Sequence, residues 1–157
     1  MISVDEYLRY CDQALDAYAA IVTELGDDLV NARLDGVPGS NSAFALVTHV
    51  QGMTTRWVRT VNLGIPVPRD RDAEFVASGT VGEALALLER TRARLHEDAR
   101  AASPRELPAD PAHEKDGTLS CATQGAVLLH VYEELAQHLG QLEVTRDVLL
   151  ARGAANS

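Results

Sequence analysis

Lysine is nearly missing from this chain of 157 residues: Lys115 is the only one, so the positive charge is carried by arginine. Acidic residues outnumber basic ones and leave a net charge of -9. That balance gives no electrostatic footprint for nucleic acid or for an anionic membrane, and neither is expected as a partner. Cysteine is scarce too. Cys11 and Cys121 form no Cys-x-x-Cys motif and are too few for a disulfide scaffold. Cys11 falls on an apolar stripe and reads as a reduced packing residue, whereas Cys121 has no assignment. No stretch approaches eighteen consecutive apolar residues, and MISVDEYLRYCDQ lacks a basic segment followed by an apolar one. The expectation is a soluble cytoplasmic protein. Strand-like alternation and internal repeats are also missing.

What the chain does have is apolar content, 46%, enough for a globular core, and residues 1–157 read as one domain. Its periodicity is helical. Val4, Leu8, Cys11, Leu15, Tyr18, Val22, Leu25 and Leu29 alternate spacings of four and three, the seam of a helix packed in a bundle. Ser3 with Glu6 forms a capping box, and this first helix is expected to end near Arg33. A second helix starts around Asn41 or Ser42, carries Leu46, Val50, Met53, Trp57 and Val61 inward, and stops by Gly64.

The connection GIPVPRDRDAEFVASG contains a charge run from Arg69 to Glu74, which reads as a solvated loop without chemistry. Thr80 with Glu83 opens a third helix, with Val81, Ala84, Leu88, Thr91 and Leu95 inward, fading near Ala102. Pro104, Pro108 and Pro111 exclude a continuous helix from Ser103 to Gly117. The fourth helix is expected from about Leu119 to Leu150, with Val127, Val131, Leu135, His138, Leu142, Thr145 and Leu149 on its stripe. The fold class is therefore all-α, a four-helix bundle. The short first connection suggests that helices 1 and 2 are antiparallel neighbours, while the two longer ones allow a crossover.

Within this frame His49 flanks the inward stripe of the second helix. Glu134 and His138, four apart in Glu-Leu-Ala-Gln-His, share one face of the last. Two readings stand at this point. In one, His49 is a hydrogen-bonded core histidine and Glu134 with His138 an ordinary helix pair. In the other, the three meet between helices and bind a metal, where bundles build such sites. Two imidazoles and one carboxylate around zinc leave one position open, and zinc accepts and deprotonates thiols. His130, one turn before Glu134, is a candidate to orient it. Tyr132 and Glu133 line the site mouth or face solvent, and His96 and His113 read as surface residues.

The stretch HVYEELAQHLGQLEVTRDVLLA resembles the last helix of the DinB-like superfamily, with Glu134 and His138 in ligand positions. SNSAFALVTHVQGMTTRWVRTVNLG resembles the second helix, with His49 in the ligand position. The resemblance is closest to the branch that includes mycothiol-dependent maleylpyruvate isomerase and related thiol S-transferases. It implies a DinB-like bundle of up-down-down-up topology and a His, Glu, His triad holding a divalent metal, usually zinc. It further implies mycothiol as thiol co-substrate, a small electrophile as the second substrate, and a homodimer as a common state of relatives. In many relatives a histidine stands at the position of Gln141. Two further functions stay open, a hydrolase using metal-activated water and a non-catalytic, dimerising metal-binding bundle of a stress response.

Overall fold

The computed structural model describes residues 2–110 and 122–155, in which all regular structure is helical. Helix α1 spans Val4–Leu29, α2 Ala43–Thr54 with a π-helical continuation over Thr55–Asn62, α3 Arg71–Glu74, α4 Val81–Ala101 and α5 Gln124–Ala155. Both capping boxes form. The Ser3 hydroxyl accepts from the Glu6 N–H while Glu6 accepts from Ser3, and Thr80 and Glu83 repeat the exchange at α4. Each box satisfies helix N–H groups that would otherwise lack partners.

The side-chain contacts fix the direction of every long helix. Asp12 binds Arg92 at 2.9 Å and Arg100 lies 3.5 Å from Asp5, so α1 and α4 are antiparallel. The Tyr18 hydroxyl donates to the Leu135 carbonyl at 3.0 Å and Arg146 lies 3.6 Å from Glu24, so α5 runs parallel to α1. Asn62 at the end of the π-helical segment bonds Gln124 at the start of α5, making α2 and α5 antiparallel. The topology is up-down-down-up. Helix α1 packs along α4 and α5, and α2 packs along the same two. Helices α1 and α2 are antiparallel as expected but sit across the bundle diagonal, not side by side as their short connection suggested. The apolar stripes meet in one core, in which Leu8, Leu15, Tyr18, Leu46, Leu88, Leu95, Leu135 and Leu142 are fully buried.

Several details differ from the sequence expectation. Helix α1 ends at Leu29 rather than Arg33, because Gly26 takes φ +66° and breaks the hydrogen-bond ladder one turn earlier. The π-helical turns after Thr54 insert extra residues into the register, so Val58 is fully buried and Trp57, expected inward, is only half-buried. The run Arg69–Glu74 is not a solvated loop: it holds α3, capped by Asp70, and it buries Glu74. Helix α5 starts at Gln124, where the Thr123 hydroxyl accepts from the Ala126 N–H and the Gln124 side chain is drawn to the Ser103 N–H and the Leu107 carbonyl. It continues to Ala155, past the expected stop at Leu150. Leu119, Cys121 and His113 lie outside the described residues. Cys11 is buried as expected. His96, expected at the surface, is half-buried, with Nε2 2.9 Å from Asp12 of α1.

No helix of the described residues is long and apolar enough to cross a membrane. Truncating the core at Leu135→Ala should cost about 2–5 kcal/mol in denaturant-induced unfolding through lost burial and a residual cavity. Val144→Ala on the exposed face of α5 should stay within about 0.5 kcal/mol in the same measurement.

Candidate metal centre

Ser42 caps α2 by accepting from the Ala45 N–H, and Leu46, Val50 and Met53 anchor the helix in the core. His49 lies between those anchors and is 3% exposed. On α5, Val131, Leu135 and Leu142 are the anchors, which leaves Glu134 and His138 one turn apart on the flank that faces α2. Antiparallel packing of the two helices brings the His49 and His138 rings edge to face, centroids 4.7 Å apart. His49, Glu134 and His138 each offer a ligand atom, and all three atoms lie within 4.8 Å of one another.

The remaining ring nitrogens are engaged. His49 Nδ1 is 2.9 Å from Glu74 Oε2, and a carboxylate only accepts, so Nδ1 carries the proton. His138 Nδ1 is 3.2 Å from the Gln141 amide oxygen. Both rings therefore keep Nε2 for a cation, the usual consequence of a hydrogen bond on the far nitrogen of a ligating histidine. His138 Nε2 is 3.5 Å from Glu134 Oε2. Two atoms bonded to one zinc at about 2.1 Å stand at most about 4.2 Å apart, so side-chain torsions alone can draw this set around an ion.

The charge states of His49 and Glu134 suit metal binding, whereas a cation at His138 must displace a proton. Burial lowers the His49 pKa, against the opposing pull of Glu74, which favours the neutral, ligating imidazole. His138 beside it lowers the Glu134 pKa and favours the carboxylate, while Glu134 in turn raises the pKa of His138. The donor set of two imidazoles and one carboxylate fits a divalent cation of the zinc type.

His130 lies near Glu134, but its Nε2 is 3.9 Å from Glu134 Oε1, too far for the orienting hydrogen bond that the sequence suggested. Its firmer partner is Glu133, 3.1 Å from Nδ1, and the Trp57 ring meets it edge to face at 4.7 Å. Glu133 is thus part of the surroundings of the site, on its exposed side. Tyr132 packs on Tyr10 of α1 instead. The residues that the sequence reading missed come from the α2–α4 connection: Glu74 on His49, Arg69 on Glu74, and Phe75 stacked on the His49 ring at 4.6 Å. Two signals were there to find. Gly52 puts a side-chain-free position one turn after His49, and Glu74 is flanked by Ala73 and Phe75 inside an otherwise charged run.

A groove of about 470 Å³ lies between Leu34, Val37, Gln141 and Val144, and Gln141 is the residue that connects it to His138. No curated protein and no solved structure matches the chain significantly. The family model described as mycothiol S-transferase matches residues 6–150, a span that reaches from the first turn of α1 into the last turns of α5 and includes the three converging side chains. On that match the chain belongs to the mycothiol S-transferase family, a member of the DinB-like group.

Proposed function

We propose that the protein is a metal-dependent S-transferase that joins a low-molecular-weight thiol, mycothiol, to a small electrophile. The observation that carries this reading is the convergence of His49, Glu134 and His138 from two helices with both histidine Nδ1 atoms already engaged. Family membership supports the thiol and the transferase chemistry. Zinc is the metal of choice for a nitrogen and oxygen donor set that leaves a position for sulfur. When bound, such a cation lowers the pKa of a thiol enough to present it as thiolate near neutral pH.

The chain's own residues do the rest. His49 holds a neutral imidazole in place, His138 gives up to an arriving cation the proton that Glu134 favours, Glu134 supplies the balancing negative charge, and Gln141 orients His138. The groove at Gln141 is roomy enough for a small thiol, with Leu34, Val37 and Val144 as apolar walls and Ser40, Gln141 and Thr145 as its polar lining. The transfer step forms a carbon–sulfur bond at the electrophile and expels its leaving group or shifts an electron pair onto an adjacent carbonyl.

Elemental analysis should find about one equivalent of zinc in the wild-type protein and stoichiometric loss in both His49→Ala and His138→Ala. Full occupancy in either variant would remove that residue from the ligand set. With 1-chloro-2,4-dinitrobenzene and mycothiol, the zinc-loaded protein should form the S-aryl product with release of chloride, and chelation should abolish the rate. Attack by water in place of thiol would mark a hydrolase. A zinc-loaded protein that turns over no electrophile would mark a non-catalytic metal-binding bundle.

A further inference from the structure

Burying a carboxylate is costly unless charged or hydrogen-bonding partners take it up. Glu74 is 6% exposed and has three such contacts from two residues. Arg69 Nε donates to Oε1 at 2.6 Å and Nη2 to Oε2 at 2.8 Å, while His49 Nδ1 donates to Oε2 at 2.9 Å. Helix α2 makes room for this carboxylate by leaving out a side chain: a Cβ on Gly52 would lie 2.0 Å from Oε1. A helix-interior glycine weakens its helix relative to alanine. The next residue, Phe75, lies against the face of the same imidazole, 28° from parallel. One short segment thus grips His49 by an edge and a face.

The pair with Arg69 would neutralise Glu74 without His49, so the third bond calls for its own explanation. We propose that Glu74, held by Arg69 in the notch at Gly52, is a positioning residue that fixes the His49 ring with Nε2 toward the cation and strengthens it as a ligand. A carboxylate acceptor on the far nitrogen makes an imidazole a better donor to metal than a neutral amide does. The two histidines are therefore unequal, with His49 on a charged partner and His138 on the neutral Gln141. Arg69 balances the added negative charge, so the centre keeps the net charge set by the cation and Glu134. The proposal rests on the metal-binding reading above.

The test uses the full-length protein and three substitutions, Glu74→Ala, Glu74→Gln and Gly52→Ala, with His49→Ala as reference. Zinc affinity is read by chelator competition, the ligand field by the visible absorption of the cobalt(II)-loaded protein, and fold integrity by thermal unfolding in chelator. Glu74→Ala should weaken zinc binding about 10–100-fold and shift the cobalt bands. Gly52→Ala should act in the same direction while leaving Glu74 in the chain, by pushing its carboxylate out of the notch. Glu74→Gln, which still offers an amide oxygen to Nδ1, should lose less than Glu74→Ala.

Wild-type zinc affinity and unchanged cobalt bands in Glu74→Ala would overturn the proposal, even with a lowered melting temperature, since that is what a purely structural role gives. Should Glu74→Ala fail to fold, the same criterion applies to Glu74→Gln. Absence of metal from the wild type would instead bring down the metal-binding reading itself. Metal in the wild type, none in His49→Ala and wild-type behaviour of every Glu74 variant would bring down only the role of Glu74.

Discussion

An imidazole almost closed off from water needs a partner for each of its nitrogens, and the centre of this bundle is organised around meeting that need for His49. One nitrogen is answered by Glu74 from the α2–α4 connection. The other is left to the cluster that Glu134 and His138 complete. Leu46, Val50 and Met53 on either side hold the ring where it is, so the polar groups have had to come to it. Glu134, sharing a helix face with His138, then adds the anionic donor that lets the cluster favour a dication.

The bundle topology supplies those partners. Because α2 and α4 run the same way, the chain leaving the far end of α2 must travel back the length of the bundle before α4 can begin. A hairpin would have avoided the crossing. The return path passes the middle of α2, where His49 is, and α3 with its flanking residues is folded onto the helix at that point. Asn31 of the first connection holds the end of the crossing through mutual bonds with Gly79, and Asp27 accepts from the Val81 N–H at 2.6 Å. A connection that looks like mere linkage thus becomes a wall of the site.

Most of the fold was legible because bundle helices write their buried faces at regular spacing. The stripes of α1, α4 and α5 were correct nearly residue by residue, and both capping boxes marked their helix starts. His49, Glu134 and His138 were legible for the same reason, being polar residues on or beside those stripes. What periodicity could not convey was pairing across the bundle: the same stripes serve adjacent and diagonal helices alike, which is why α1 and α2 were misplaced. The π-helical register after Thr54 depends on how the chain closes onto residues 109 and 110, through bonds from Ala109 and Asp110 to the Asn62 and Val61 carbonyls. That is tertiary information. Glu74 was hidden because a charged run is ordinarily solvated; its apolar neighbours Ala73 and Phe75 hint at burial, but the partners His49 and Arg69 appear only in three dimensions.

The missing side chain at residue 52 also bears on attempts to make the protein more robust. Replacing helical glycines with alanine is a standard route to thermostability, because it reduces the freedom of the unfolded chain. Gly140 in α5, with open space around the position of a Cβ, suits that treatment. At Gly52 the same exchange would gain helix propensity by evicting a carboxylate, so the weakest link of α2 is also the one that hardening should leave alone.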